Sequence, residues 1–524
     1  MNRSVSLMGR VAHQSFGALV LGTMVLISAD GRAEPAAASP SAASPLAVAT
    51  PAMEPQPGAL PTAALPMAEA AMVGAELAGL DVAAPEVGTA TITLAELRQR
   101  HNRHLLDGML GLRSSEGGGE LIVGDNTDPW GMSWTKCTNL GIHMMSTLVA
   151  EQRGLVEDVD AREDIRRIVD ILGRLRTHRG IFPENIQIRG GITAEVVDGR
   201  SRFSSIDSAW VTLALSLVQA RYKTDDEALA KSAAALIAKQ DYRTFVGADG
   251  MMGAGYFVDV QTDRKVEDIP FSYKDRNSEA RPLVLALVGM NQLPVSAWTK
   301  TFYRWGSREG VVLAKGWHFS AFVEMTGALF FDEAKLAPKS LGKSHQNYIE
   351  ASLRVAKRNG HQLWGYAPAC DAQNAYAEFG LDRPDSVSPY AAALLTLTDD
   401  ERAVQNLSQV LNALPRDGRA LPDGLDPRTG AVNCEVARLL DQGLLFLALN
   451  GDVVRGLVQK TPWYASAERR LKAMDRYNTP PPVKVQLDAG EPISLLPGTS
   501  HGGALALLEP GPAPAGSLGR GYGH

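Results

Sequence analysis

Carboxylates set among aromatic and apolar residues recur five times along this chain, and that combination suits acid–base chemistry. The first stretch is RFSSIDSAWVTLALSL, where Ser204, Ser205 and Asp207 head an apolar run. Taken alone, Asp207 reads equally well as a helix N-cap, because Ser and Asp oxygens satisfy the free N–H groups of a first turn. The second is SYKDRNSEARPLVLALVG, with Asp275, Glu279 and Arg281 around a helix start. Glu279 and Arg281 are a plain ion pair on one reading. On another, a buried pair of this kind anchors a ligand hydroxyl or tunes a neighbouring acid. In the third, GWHFSAFVEMTGALFFDE, Glu324 lies among Phe319, Phe322, Val323, Met325 and Phe330. A carboxylate so placed must be paired, neutral or functional. Burial raises its pKa towards what a general acid needs near neutral pH. The alternative is a structural Glu bonded to backbone or Arg. Asp332 and Glu333 read as exposed charges at the end of that helix.

The fourth stretch, WGYAPACDAQNAYAEFGLDRPDSVSPYAAALL, gathers Trp364, Tyr366, Asp371, Asn374 and Tyr376 in a segment punctuated by Gly and Pro. Rings stack on sugar C–H faces, while an acid and an amide read hydroxyls. An ordinary surface loop is the alternative, although long loops are uncommon unless functional or disordered. The fifth, LPDGLDPRTGAVNCEVARLLDQGLLFLALNG, puts Asp423, Asp426 and Asn433 in a polar turn. Asp441 and Gln442 follow inside an apolar helix, where they need partners if buried. Trp130 and Trp317 join Trp364 and Tyr376 as candidate stacking platforms.

Other chemistries fit poorly. GGG at 117–119 lacks the Lys-Ser/Thr and the strand of a phosphate loop, and there is no dinucleotide fingerprint, HExxH or GxSxG elbow. His143 and His318 could act as bases but read first as satisfied core or rim residues. Cys137, Cys370 and Cys434 are too few for a disulfide framework, leave at most one pair, and lack zinc spacing. Cys370 reads as a small buried residue rather than a nucleophile. No metal or cofactor is expected. Carboxylates with aromatics remain, the set expected for glycoside hydrolysis of an oligo- or polysaccharide.

These residues need a scaffold, and helical periodicity supplies it. TNLGIHMMSTLVAEQRGLV (138–156) and REDIRRIVDILGRL (162–175) carry apolar stripes separated by a turn, as do DSAWVTLALSLVQARY (207–222) and DEALAKSAAALIAKQ (226–240). The first of the latter pair is apolar on most sides and reads as an inner helix; the second is amphipathic and reads as an outer one. Further helices are expected over 278–289, 320–331, 346–358, 389–397, 401–414, 435–449 and 466–474. Strand-like alternation is short and local, as in 184–197. Ten to twelve paired helices fit layered helix packing. The closed solution is an all-α barrel of helical hairpins over 93–478, with short β-hairpins in its loops. Loops 177–206, 241–277, 360–388 and 415–434 would then converge on a funnel.

The two ends read differently. Arg3 and Arg10 precede an apolar run from Phe16 to Ile27, and Gly31 and Ala33 offer small residues before a cut. That is an export leader over 1–33, too short for a membrane anchor. Residues 34–92 are an Ala/Pro-rich spacer, and 479–524 a Pro/Gly-rich tail; both compositions favour a solvated chain. No membrane span is expected in the mature protein, which would be periplasmic or secreted. The net charge of -6 gives no basic excess to attract nucleic acid.

From about Thr138 to Met474 the chain resembles the bacterial glucoamylase-like (glycoamylase) proteins, which include endo-β-1,2-glucanases and the trimming domain of cyclic β-1,2-glucan synthases. The matching blocks are TNLGIHMMSTLVAEQRGLV, FSSIDSAWVTLAL, FVEMTGALFFDE, WGYAPACDAQNAY with SVSPYAAALLTLTDDE, and GLDPRTGAV with LLDQGLLFLALNGDVVRGLVQKTPWY, in family order. The resemblance implies an (α/α)6 barrel and hydrolase or transglycosylase activity on a glucan. It carries acidic positions onto Asp207, Glu324, Asp371 and Asp426, and hydroxyl-reading positions onto Gln442 and Trp364. Asn139 stands where some relatives have an acid, and Tyr366, Pro368 and Cys370 depart from the pattern. On this reading Glu324 or Asp207 protonates the leaving oxygen, and Asp371 or the other of that pair activates water or attacks. Trp130, Asn139, Glu279, Arg281, Trp317, Trp364, Tyr376, Asp426 and Gln442 bind substrate. A glycan-binding scaffold without activity and a polysaccharide lyase are the alternatives.

Overall fold

The computed structural model describes residues 92–117, 120–373, 375–415 and 420–481. The expected leader (1–33), spacer up to residue 91, Asn374 and tail from residue 482 lie outside the described residues. The chain runs through α1 (Leu94–Leu110), β1 (Arg113–Gly117), β2 (Glu120–Val123), β3 (Trp134–Lys136), α2 (Cys137–Gln152) and α3 (Asp158–Arg174). Next come β4 (Asn185–Gln187), β5 (Thr193–Ala194), β6 (Arg200–Ser204), α4 (Ser205–Tyr222), α5 (Glu227–Lys239), β7 (Gly255–Asp259) and β8 (Arg264–Asp268). Then follow α6 (Ala280–Gly289), α7 (Ser296–Thr299), β9 (Trp305–Arg308), β10 (Val311–Ala314), α8 (Ala321–Phe330), α9 (Glu333–Leu336) and α10 (Leu341–Asn359). Last are β11 (Ala369–Cys370), β12 (Tyr376–Ala377), α11 (Pro389–Leu395), α12 (Glu401–Ala413), α13 (Leu439–Leu449), α14 (Gly451–Gln459) and α15 (Tyr464–Asp475).

Six helices are buried on nearly every side: α2, α4, α6, α8, α11 and α13. Each packs on the next in chain order, and α13 closes back on α2. Helices apolar all round can persist only where no face meets water. Around them lie helices with one wet face. In α3, Ile165, Ile168, Val169, Ile171 and Leu172 point inward, and α10 and α12 follow the same pattern. The ring is tight where side chains are small. A Cβ on Gly141 of α2 would come within 2.8 Å of the Trp210 carbonyl of α4.

The inner helices finish at one common end. There Asn450 takes a bond from Arg153, just past α2, Trp463 bonds Ser216 of α4, and Phe331, just past α8, packs on Trp463. Helix α14 lies across that end, touching α2, α4 and α8. The inner N-termini therefore share the opposite end, and the sheets gather beside them. β3 runs into α2 and pairs with β4, which pairs with β5; β6 runs into α4 and pairs with β7, which pairs with β8. Three hairpins, β1–β2, β9–β10 and β11–β12, complete the strands. Segments expected as loops with local hairpins thus include three-stranded sheets that join separate loops. Their strands are two to five residues long, too short for a clear alternating pattern.

Two further differences have plain causes. Helix α1 was not expected, although Thr93 and Glu96 form a capping box at its start. Helix α13 begins at Leu439 rather than Glu435, because Arg438 is extended and its side chain is turned to Asp423. A disulfide joins Cys370 to Cys434, with a Cα–Cα distance of 6.0 Å, and Cys137 stays buried as a thiol whose pKa burial pushes well up. No described helix is long and apolar enough to cross a membrane.

Candidate active site

At the inner N-terminal end, the first turns of α2, α4 and α13 and the residue just before α6 carry polar side chains that act on their neighbours. Asp207 is fully buried in the first turn of α4. Thr138 Oγ1 donates to its Oδ1 at 2.5 Å, and Ser204 donates to Oδ2. Ser204 also caps α4, so the N-cap expected at this position is Ser204 rather than Asp207. Beside it Lys136 bonds Glu184 at 3.3 Å, and Arg202 lies 2.8 Å from the other Glu184 oxygen. Burial works against the Lys136 charge, but Glu184, Asp207 and Asp125 raise its pKa overall.

Glu279 stands just before α6, half-buried, with no hydrogen-bond partner among the described residues. Burial drives its carboxyl well above the ordinary range, Asp207 and then Glu378 push it further, and Lys136 opposes them. The expected ion pair with Arg281 does not form. Arg281 turns away beneath α6 to grip Glu333 through Nε at 2.8 Å and Nη2 at 3.0 Å.

Asp441 lies in the first turn of α13, 2% exposed, and neither carboxyl oxygen has a hydrogen-bond partner among the described residues. Burial pushes its pKa up to about 8, with Arg438 opposing the shift and Asp125 adding to it. Asp125, on the loop before β3, accepts from Asn139 at 3.0 Å. Arg438 lies 4.1 Å above the Tyr376 ring and pairs with the buried Asp423. The Tyr376 hydroxyl is driven well up by burial, and Asp441, Arg438, Asp125 and Glu378 all act on it. Tyr390 feels Tyr376, Asp441 and Glu279 together. The acids of α6 and α13 therefore share one electrostatic environment. Trp317, 44% exposed, donates from Nε1 to Glu378. It precedes two residues in the left-handed region, His318 and Phe319, each with φ 47°. Non-glycine residues are costly there and such strain gathers at functional sites.

Several sequence-predicted residues are placed otherwise. Glu324 is 2% exposed with both oxygens engaged, by Asn277 at 2.7 Å and His345 at 2.8 Å. Arg281 is equally buried, and its guanidinium is spent on Glu333, Asn277 and the Glu324 carbonyl. Trp364 is no platform: at 4% exposure it sits in the core, its backbone held by Asn406. Gln442 spends both ends of its amide on the Leu421 backbone. Asp371 holds its own turn by accepting from the Gln373 and Ala375 amides, both at 2.9 Å. Asp426 does the same for Arg428 and Thr429. Glu333, expected at the surface, is 1% exposed because Arg281 and His345 neutralise it inside. Trp130, 59% exposed, stands on the loop before α2. Glu378, Asp125, Lys136 and His345 were not singled out from sequence. Only Glu378 had a visible cue, two residues after Tyr376 in the aromatic loop.

A hollow of about 590 Å³ on the outer wall between α3 and α5 is lined by Arg167, Asp170, Arg174, Lys239 and small or aliphatic residues. It has no ring for a sugar to stack on. The mouth of the helical ring is therefore the candidate site.

No family model matches the sequence, and no curated protein matches it. Solved structures do match. A candidate glucoamylase from Bacteroides caccae is 14% identical, with a TM-score of 0.61 over 72% of this chain and 99% of that one. The chain has the glucoamylase-like fold. An endo-β-1,2-glucanase from Chitinophaga pinensis, in complex with sophorotriose and glucose, shares this fold at 13% identity and a TM-score of 0.60, covering 72% of this chain and 98% of that one. So does an endo-β-1,2-glucanase from Talaromyces funiculosus, known as a Glu-to-Gln mutant with β-1,2-glucan, at 14% identity and a TM-score of 0.56 over 74% of this chain and 92% of that one. The expected likeness to glucoamylase-like proteins and endo-β-1,2-glucanases is borne out in the fold.

Proposed function

We propose that this protein is a glycoside hydrolase acting on a β-linked glucan, built as an (α/α)6 barrel whose mouth holds the substrate. One observation carries the reading. Glu279 is a half-buried carboxyl with no hydrogen-bond partner among the described residues, its pKa pushed well above the ordinary range by burial and then by Asp207 and Glu378, with Lys136 opposing. That is the state a general acid needs to protonate a leaving glycosidic oxygen. Asp441, on α13 across the ring, is the second carboxyl, equally without a partner. Once a substrate or water fills its site it can act as base or nucleophile. Asp207 lies beside Glu279 and adds to burial in raising its pKa. Trp317, Trp130 and Tyr376 are the stacking surfaces. Asp125, held by the buried Asn139, presents its carboxylate to sugar hydroxyls.

The catalytic assignment thus moves from Glu324 and Asp371 to Glu279 and Asp441, with Asp207 retained as a neighbour. The two cations nearest this site, Lys136 and Arg438, are already paired with Glu184 and Asp423. A lyase acting on uronates would need cations to spare, so the site favours a neutral glycan. The disulfide between Cys370 and Cys434 supports export, because such bonds persist in oxidising compartments. The β-1,2-glucan bound by the fold neighbours makes that polymer the first substrate to try. The purified protein is expected to release reducing sugar ends from linear β-1,2-glucan without new ultraviolet absorbance. Absorbing, unsaturated ends would indicate a lyase instead, and binding without release a scaffold.

A further inference from the structure

Beneath α6, five side chains close into a ring. Asn277 Nδ2 donates to Glu324 Oε2 at 2.7 Å; Glu324 Oε1 meets His345 Nδ1 at 2.8 Å. His345 Nε2 meets Glu333 Oε2 at 3.0 Å; Glu333 takes both Arg281 bonds; and Arg281 Nη1 returns to Asn277 Oδ1 at 2.5 Å. All five residues are 2% exposed or less. They come from the start of α6, from α8, from α9 and from α10. Space for the ring is made by Gly327 of α8, where a Cβ would lie 2.6 Å from Arg281 Nε. Two members, Asn277 and Arg281, sit two residues before and two residues after Glu279. With His345 protonated, the two carboxylates are balanced by two cations.

We infer that this ring is a positioning device for Glu279, fixing both flanks of the proton donor so that its carboxyl stands half-buried and unbonded at the mouth. This rests on the reading of Glu279 as general acid. A helix start held only by its own backbone could let residue 279 swing into water. It would then lose the partial burial that raises its pKa. The ring ties the segment from 277 to 281 to three other elements and leaves Glu279 as the one acidic side chain of that turn with no bond of its own. Glu324, in this role, acts through Asn277 and Arg281 and never meets the substrate.

The test is His345→Gln, with the milder Asn277→Ser beside it, assayed as full-length protein on β-1,2-glucan and on dinitrophenyl β-sophoroside. The second substrate has a leaving group that needs no proton. The inference predicts that kcat on the glucan falls about 10- to 100-fold, as misplacement of a catalytic group does, with KM nearly unchanged. The basic limb of the pH profile moves to lower pH, and the dinitrophenyl substrate is cleaved at close to the wild-type rate. Equal losses on both substrates, or a lowered Tm with an unmoved pH limb, overturn the positioning role. If His345→Gln does not fold, Asn277→Ser decides by the same criteria. Glu279→Gln separates the two readings. If it cleaves the glucan at the wild-type rate, the general-acid assignment itself fails. If it is impaired on the glucan while the ring variants behave as wild type, only the positioning role fails.

Discussion

Two groups of acids, buried or half-buried, lie on either side of the start of α6, and they differ in one respect. In the ring below it, Glu324 and Glu333 have every oxygen engaged by Asn277, Arg281 or His345. At the proposed mouth above it, Glu279 has no hydrogen-bond partner among the described residues, and across the ring of helices neither oxygen of Asp441 has one there. Burial without partners is a cost that folding alone does not repay. Saturated acids therefore read as architecture, and unsaturated ones as places left for a substrate. The same contrast explains why Glu324 misleads as a sequence. Its apolar neighbours announce burial correctly but say nothing of the His twenty-one residues later that binds it.

Breaking the unsaturated side should cost activity and gain stability. Asp441→Asn is expected to lower the rate on β-1,2-glucan by about 100-fold or more. It should also raise Tm, because the folded protein no longer has to hold an acid whose pKa is about 8 instead of the ordinary 3.8. That penalty is absent below pH about 4 and complete above about 8, so the Tm gain should grow across this range. A thermal shift series from pH 4 to 8 checks it, and a destabilised but active variant would place Asp441 with the structural acids.

Breaking the saturated side should cost stability as well as activity. Glu333→Ala leaves Arg281 and His345 uncompensated in the interior and should cost about 3–5 kcal/mol in denaturant unfolding. A loss near zero would mean that the ring does not hold α6. The charge on His345 sharpens this further. Its folded pKa is raised to about 9 from 6.5, so its contribution is whole below pH about 6.5 and is lost as pH rises through about 9. Wild-type stability should decline over that interval, and His345→Gln should flatten the decline. The smallest effect belongs to Asp371→Asn, since an amide oxygen can still accept from the Gln373 and Ala375 amides. A change in rate of less than about twofold is expected, and a large loss would return Asp371 to the catalytic set.

The helical ring was legible because its signal is long. Runs such as DSAWVTLALSLVQARY are apolar all round, and DEALAKSAAALIAKQ is apolar on one side, which separates inner from outer layers before any contact is known. Of the proposed site, the neighbourhood was legible: Asp207, Glu279, Trp317 and Tyr376 all stand out in the sequence, and Asp207 and Glu378 act on Glu279 while Trp317 bonds Glu378. Roles were not legible, because they depend on partners distant in sequence. Sequence proximity points Arg281 to Glu279, two residues away, yet it bonds Glu333, fifty-two residues on. Trp364 and Tyr366 looked like loop aromatics, yet both are core residues, because their segment is pinned between α12 and the Pro427 turn. The pairings of β3 with β4 and of β6 with β7 rest on strands of three to five residues, below the length at which alternation tells.

The most direct measurement is the rate of reducing-end release from β-1,2-glucan by Glu279→Gln, set beside wild-type protein at equal folded fraction. The account predicts a loss of about 100-fold or more, the usual contribution of a general acid, with Tm unchanged or higher. A variant that cleaves the glucan at the wild-type rate would contradict it.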